Sequence, residues 1–133
     1  MLGELQGTGF LELVETKKKD LRKDYEVVCG VDPTFARFSF EKFVEARLLV
    51  CSRVFGVVID RIKTDALVPL ADMLNHHMPK QTSWYYCDYS RGFVIQSLKE
   101  IPPGAEIFDS YGQKCNSRFL LHYGFTLPDN PHN

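Results

Sequence analysis

The spacing of apolar residues changes partway along the chain, and this change is the strongest constraint on the fold. Apolar side chains from Phe10 to Val28 recur at near-helical intervals until Asp32-Pro33 interrupts the pattern. A second apolar stripe, Phe40 to Val58, follows Ser39, which can cap a helix beginning there. After Leu67 the apolar runs are short and separated by turn sequences. Helices followed by short strands, without regular alternation, predict an α+β fold.

Short strands are predicted in the second half of the chain. Trp84–Tyr86 and Phe93–Ile95 flank the turn sequence Ser90-Arg91-Gly92, which is typical of a hairpin. Glu106–Phe108 follows another Pro and Gly turn and is expected to form a further strand, while residues 72–76 are expected to form a short turn of helix.

A last short helix is predicted near the C-terminus. Asn116 or Ser117 can begin it, and Gly124 can end it in the left-handed conformation that glycine adopts without steric cost.

The amino-acid composition limits the functional classes to which the chain can belong. The chain has 133 residues, 44% of them hydrophobic and 25% charged, which is ordinary for a globular domain. The net charge of -1 gives no broad field for nucleic acid or an anionic membrane, and no apolar run reaches the length of a membrane span. The cysteines are widely spaced and no secretory leader is present, so we expect reduced thiols in an intracellular protein of the nucleus or cytoplasm.

Polar and aromatic residues that suggest chemistry fall in three blocks. The first is Asp72-Met73-Leu74-Asn75-His76, the second runs from Gly104 to Gly112 and ends in Tyr111-Gly112, and the third runs from Asn116 to Phe125. No glycine-rich phosphate loop, repeat or low-complexity tract occurs, so kinase, nucleotide-hydrolase and dinucleotide-binding classes lack their signature.

In their order and spacing the three blocks resemble the C-terminal half of a SET-domain protein lysine methyltransferase, nearest to the Rubisco large-subunit methyltransferase branch. The resemblance implies S-adenosylmethionine (SAM) as methyl donor and a lysine of a histone or non-histone protein as acceptor. It also implies a partial SET domain, with residues 1–60 as the helical insert, residues 61–133 as the C-terminal core, and a pseudoknot-type crossing of the motif segments.

The resemblance also implies roles for individual residues. Tyr111 would be catalytic, with its phenol oxygen facing the sulfonium and the transferred methyl group. Residues of the cofactor site would be Arg53, Asn75, His76 and Phe125, and residues of the substrate site would be Ser52, Phe55, Asp72 and Tyr123.

Structural explanations stay open for most of these residues. Asp72 could cap a helix, Asn75 could serve a turn, and Tyr111 could be a half-buried tyrosine at a strand end. Tyr123 and Phe125 could pack in the core.

Arg53 is expected in the middle of the long helix, where its guanidinium needs a carboxylate partner. That partner would be the cofactor carboxylate or a local acid such as Glu45 or Asp60. Phe55 would form an apolar wall for the stem of a lysine, which favours lysine over histidine as the acceptor.

The N-terminal part of a SET domain, with its Gly-x-Gly turn, has no counterpart in the sequence, since Gly7-Thr8-Gly9 precedes helical spacing. We therefore expect a fragment that is incomplete or inactive alone, with newly exposed apolar surface that could drive dimerisation.

Two other classes compete with the methyltransferase. A metal-dependent hydrolase could use Asp72, His76 and His77 as ligands. A noncatalytic SET-like module could instead bind a protein partner through the aromatic run Trp84–Tyr86.

Overall fold

The computed structural model describes residues 7–133. Within that range there are three α-helices and six short strands, so the predicted α+β class is confirmed. The helices are α1 (Gly9–Val31), α2 (Phe40–Arg53) and α3 (Asn116–Tyr123). The strands are β1 (Val54–Ile59), β2 (Ile62–Leu67), β3 (Asn75–His76), β4 (Thr82–Cys87), β5 (Gly92–Ser97) and β6 (Phe108–Asp109). No helix in residues 7–133 has the length and apolarity needed to cross a membrane.

The chain divides into two compact units. One contains the described residues up to Ser52 together with Lys114–Asn133, and the other is Arg53–Gln113. The predicted division after residue 60 stays a prediction, and residues 1–6 of its first part lie outside the described residues.

The first unit is helical, and an aromatic contact holds α1 against the start of α2. The ring of Tyr25 lies 5.7 Å from that of Phe40 and 5.4 Å from that of Phe43. Its hydroxyl donates to the Phe38 carbonyl over 2.6 Å. The break between these helices follows the sequence, because α1 ends at Val31 and Asp32 becomes extended.

The start of α2 confirms the predicted cap, but its end does not match the prediction. The Lys42 backbone N–H donates to Ser39 Oγ over 3.4 Å. The helix was expected to continue to Val58, yet it ends at Arg53 and residues Val54–Ile59 form β1. Arg53 is therefore the last residue of α2 and not a mid-helix residue.

Burial and strand pairing account for β1 where the helix was expected to continue. Phe55 and Val57 are buried while Gly56 and Val58 are exposed, which is the alternation of a strand. The apolar stripe fitted a helical period as well, because short apolar runs rich in β-branched residues satisfy both periods. β1 pairs with β2 in antiparallel register across a tight turn at Asp60 and Arg61, whose φ angles are 49° and 69°.

The second unit is built on three two-stranded sheets within the described residues. The predicted hairpin is confirmed, with β4 and β5 antiparallel and Trp84 opposite Ile95. Phe55 of β1 packs at a 5.2 Å ring separation on Trp84 and at 5.0 Å on Phe93. These three rings form the core that joins the first sheet to the hairpin.

The third sheet joins distant segments. β3 pairs in parallel with β6, so Asn75 lies opposite Phe108 and His76 opposite Asp109. The expected helical turn over residues 72–76 is a 3₁₀ turn at Ala71–Met73 followed by β3, and the strand expected at Glu106–Phe108 is Phe108–Asp109.

A buried polar contact secures this sheet to the hairpin. Thr82 and Asp109 are only 1% and 4% exposed. The Thr82 hydroxyl lies 3.0 Å from the Phe108 carbonyl and 3.2 Å from Asp109 Oδ1, and it can donate to either oxygen. Each polar group therefore finds a partner within the unit, as burial requires.

The C-terminal helix follows the prediction. α3 runs from Asn116 to Tyr123, and the residue that caps its end, Gly124, has a φ of 80° in the left-handed region. Asn116 also ties the following segment back to the helix start, because its side chain accepts from Leu127 N over 3.0 Å and donates to Leu127 O over 2.8 Å. Asn130, which is buried, adds a bond from its Nδ2 to Asn116 Oδ1.

Candidate functional site

The parallel pairing of β3 and β6 brings the first two motif blocks together. The pairing continues past the strands, because the His77 backbone N–H donates to the Asp109 carbonyl over 2.9 Å. Residues 72–77 and 106–112, which the sequence separates by a hairpin, thus form one locality in the second unit.

Tyr111 and His76 are in direct contact at this locality. The Tyr111 backbone N–H donates to His76 Nδ1 over 3.0 Å, and the two rings lie 5.3 Å apart. A ring nitrogen that accepts a hydrogen bond carries no proton, so this contact selects the neutral imidazole with its proton on Nε2. The bond fixes the backbone from which the Tyr111 side chain extends.

The Tyr111 hydroxyl is also held by the first block. It donates to the Leu74 carbonyl over 2.8 Å, and Leu74 directly precedes Asn75. The phenol has one proton, so that proton is directed at Leu74 and the oxygen lone pairs face away from it. After Tyr111 the chain turns at Gly112, whose φ of 96° suits glycine.

Asn75 contacts a residue that the sequence did not single out. Its Nδ2 donates to Glu106 Oε1 over 2.7 Å, and both side chains are exposed. Glu106 lies in the second motif block just before β6. The position of Glu106 in that block was the one indication in the sequence that it could belong to the site. The register of β3 on β6 is needed to show that Glu106 contacts Asn75.

Arg53 has a local acidic partner that differs from the expected ones. Its Nη1 donates to the Asp72 carbonyl over 2.9 Å and lies 3.5 Å from Asp72 Oδ2. Glu45 bonds instead to Lys42. The Arg53 side chain is 43% exposed, so this ion pair contributes little free energy and leaves guanidinium surface open to another anion.

Two of the residues expected to contact substrate serve the fold. Phe55 is buried in the aromatic core with Trp84 and Phe93. The Ser52 hydroxyl donates back to the Leu49 carbonyl over 3.0 Å within α2. A substrate contact by either residue stays a prediction.

The aromatic residues of the third block belong to the helical unit. Phe125 stacks on buried Phe119 with ring centres 5.1 Å apart. The ring of Tyr123 already faces a cation, because Lys114 Nζ lies 5.8 Å from its centre. Burial raises the pKa of the Tyr123 phenol, so it stays neutral in the physiological range.

The residues expected for a metal site have other partners. Asp72 contacts Arg53, His76 Nδ1 accepts from Tyr111, and His77 Nδ1 lies 3.1 Å from the Pro79 carbonyl. In residues 7–133 no three His, Cys, Asp or Glu side chains are grouped as metal ligands would be. The hydrolase hypothesis therefore has no geometric support in this range.

The aromatic run of β4 is divided between core and surface. Trp84 packs on Phe55 and Phe93, whereas Tyr85 is 47% exposed. The run therefore cannot act as one continuous aromatic anchor, because alternate residues point to opposite faces.

Comparison with known proteins agrees with this arrangement. No protein-family model matches the chain. It is 32% identical over 116 residues to the ribosomal lysine N-methyltransferase set10 of Schizosaccharomyces pombe, covering 83% of this chain and 21% of that protein. It is 38% identical over 69 residues to an actin-histidine N-methyltransferase of Danio rerio, covering 52% of this chain and 11% of that protein.

A solved structure shares the fold. The SET domain of LSMT bound to lysine and AdoHcy superposes with a TM-score of 0.76 and 23% identity, over 96% of this chain and 32% of that one. The partial SET-domain fold predicted from the motifs is therefore confirmed. The chain spans a third or less of each of these three proteins.

Proposed function

We propose that this chain carries part of a SAM-dependent protein methyltransferase site that acts on lysine. The proposal is supported by its partial SET-domain fold and by its sequence similarity to SET-domain lysine methyltransferases. The observation that carries the proposal is the double contact of Tyr111, through its backbone to His76 and through its hydroxyl to Leu74. This contact joins the two motif blocks at one point, which supports the proposal that they form one site.

The residues present suit the chemistry of the cofactor. The amino-acid end of SAM carries an ammonium and a carboxylate. Asn75 offers an amide oxygen to the first, and Arg53 offers exposed guanidinium surface to the second. The backbone of His76 and the ring of Phe125 would serve adenine, as the family resemblance implies. When bound, SAM supplies an electrophilic methyl group on a sulfonium.

Tyr111 would orient the acceptor amine and face the methyl group. Its hydroxyl proton is directed at Leu74, so the oxygen presents lone pairs to a positively charged neighbour. That arrangement favours the transition state because the phenol oxygen needs no reorientation as charge shifts. Asp72 borders the same segment and would lie beside the amine pocket, and Tyr123 would provide an aromatic wall.

A lysine acceptor must lose a proton before it attacks. With an ordinary pKa near 10.4, deprotonation at pH 7 costs about 4 to 5 kcal/mol. None of the residues proposed for the site is a suitable general base. Desolvation and the nearby sulfonium both lower the ammonium pKa, so the proton leaves to water.

The first experiment measures cofactor binding, because it does not depend on knowing the acceptor. Isothermal titration of the chain with AdoHcy is expected to show one site, and Asn75→Ala is expected to weaken affinity about tenfold or more, since a hydrogen bond to a charged group is worth about 1.5 to 3 kcal/mol. Lys80→Ala, an exposed residue of the same unit, is a matched control that keeps wild-type affinity.

The second experiment identifies the acceptor. The protein is incubated with labelled SAM and a cell extract, and the modified side chain is located by mass spectrometry. Methyl-lysine supports the proposal, whereas methyl-histidine would move the acceptor to the chemistry named for the Danio rerio relative. Failure to bind AdoHcy and failure to methylate, in a chain extended upstream as well as in this one, would together favour a noncatalytic SET-like module that binds protein.

A further inference from the structure

The contact between Asn75 and Glu106 has a chemical consequence for an amino-acid ligand. The two residues are 31 positions apart, and the hydrogen bond from Asn75 Nδ2 to Glu106 Oε1 is 2.7 Å long. The pairing of β3 with β6 brings them together, because Asn75 lies opposite Phe108 and Glu106 is two residues before Phe108.

A side-chain amide has a donor end and an acceptor end that occupy nearly the same volume, so an exposed asparagine can rotate to present either. A carboxylate only accepts hydrogen bonds. Glu106 therefore selects the rotamer in which Nδ2 faces it and Oδ1 faces the opposite side. The bond is charge-assisted, which makes it stronger than a neutral one and polarises the amide oxygen.

We propose that Glu106 is a positioning residue for the cofactor: it holds the Asn75 amide so that Oδ1 accepts from the ammonium of the amino-acid end. The inference rests on the proposed function. Glu106 also places negative charge beside that ammonium. Arg53 places positive charge beside Asp72, which belongs to the same motif block as Asn75. The segment thus offers both signs to a zwitterion.

The test compares two ligands that differ only at the amino-acid end. AdoHcy carries the ammonium and carboxylate, and 5′-methylthioadenosine lacks both. Glu106→Ala is expected to weaken AdoHcy binding about fivefold or more and to leave 5′-methylthioadenosine binding unchanged. Glu106→Gln keeps an oxygen that can accept from Asn75 and is expected to lose less affinity than Glu106→Ala.

Calorimetric titration gives the affinities, and thermal unfolding without ligand shows that each variant is folded. Glu100→Ala removes an exposed carboxylate in the same unit and serves as the matched control with unchanged affinity for both ligands. Because Glu106 acts on the ammonium partly through Asn75, Asn75→Ala combined with Glu106→Ala is expected to weaken AdoHcy binding by less free energy than the sum of the two single losses.

The outcomes separate the two proposals. If neither the wild-type chain nor a chain extended upstream binds AdoHcy, the proposed function fails and this inference falls with it. If wild type binds and Glu106→Ala binds AdoHcy equally well, the inference alone is overturned. An equal loss for both ligands would also overturn it, because that result describes a general structural role.

Discussion

At the scale of single residues, Tyr111 is held in the site by hydrogen bonds to a side chain and to the backbone. Tyr111 is bonded at its N–H to His76 and at its hydroxyl to Leu74. Since a net intramolecular hydrogen bond contributes about 0.5 to 1.5 kcal/mol, each contact makes a modest contribution to stability and a larger one to orientation.

Tyr111→Phe separates these two effects. Removing the hydroxyl is expected to lower the free energy of unfolding by about 1 kcal/mol. AdoHcy affinity should change little, while the methylation rate should fall by about tenfold or more, because only the oxygen facing the methyl group is lost. Denaturant unfolding, calorimetry and single-turnover assays provide the three measurements. An unchanged rate would remove Tyr111 from the proposed mechanism.

His76 is expected to matter through its acceptor nitrogen. His76→Ala leaves the Tyr111 N–H without that acceptor and should cost about 1 to 3 kcal/mol of unfolding free energy. His76→Asn places an amide oxygen near the position of Nδ1 and should recover part of the loss. Equal unfolding free energies for the two variants, measured in urea, would show that the bond does not contribute.

At the scale of elements, short strands are held by side chains that cross between them. β3 and β6 have two residues each, too few for a sheet that is stable by itself. The Thr82 hydroxyl at the start of β4 reaches Phe108 and Asp109 of β6, so the hairpin supports the sheet that carries the site.

Thr82→Val tests this support because it keeps the side-chain shape and removes the hydroxyl. The buried oxygens of β6 lose a donor, so we expect a loss of about 1 to 3 kcal/mol in unfolding free energy. Thr64→Val, at an exposed position of β2, is the matched control and should change stability by less than about 0.5 kcal/mol. Similar effects of both substitutions in urea unfolding would contradict the proposed support.

The surroundings of His122 in α3 lead us to expect that stability depends on pH. Burial lowers the pKa of His122 below its ordinary value, and the charges of Lys17, Arg118 and Lys114 lower it further. The unfolded chain then binds more protons than the folded one in the range below about pH 6.5, so stability falls as pH decreases through that range. The contribution is fully present above it.

The substitution His122→Gln tests this pH dependence of stability. Wild type is expected to lose unfolding free energy between pH 7.5 and pH 5.5, and the variant to lose less, because glutamine does not titrate. The other histidines are unchanged in both proteins, so the difference between the two pH profiles isolates His122. Parallel profiles from urea unfolding at each pH would argue against the shift.

At the scale of the whole molecule, we expect the proposed methylation reaction to depend on pH. A lysine acceptor is mostly protonated at neutral pH, and none of the residues proposed for the site is a suitable general base. We therefore expect the single-turnover methylation rate to rise from pH 6 toward pH 9. A flat profile with chemistry rate-limiting would contradict a lysine acceptor that loses its proton to water.

Much of the molecule was readable from its amino acids, because the signals are local. Asp32-Pro33 ends α1, Ser39 caps α2, and Gly124 ends α3 by adopting a positive φ. The hairpin of β4 and β5 follows from two apolar runs around a turn sequence. Each of these features depends on residues near one another in the chain, so sequence alone determined them, together with the motif blocks that identify the fold.

Only the tertiary structure decided the remaining features. The end of α2 at Arg53 depends on β1 pairing with β2 and packing on the hairpin, which overrides an ambiguous apolar period. Arg53 and its partner Asp72 are 19 positions apart in the sequence, and Asn75 and Glu106 are 31 positions apart. Such contacts follow from strand register, because the side chain that a polar residue meets is set by distant backbone pairing and not by its neighbours in sequence.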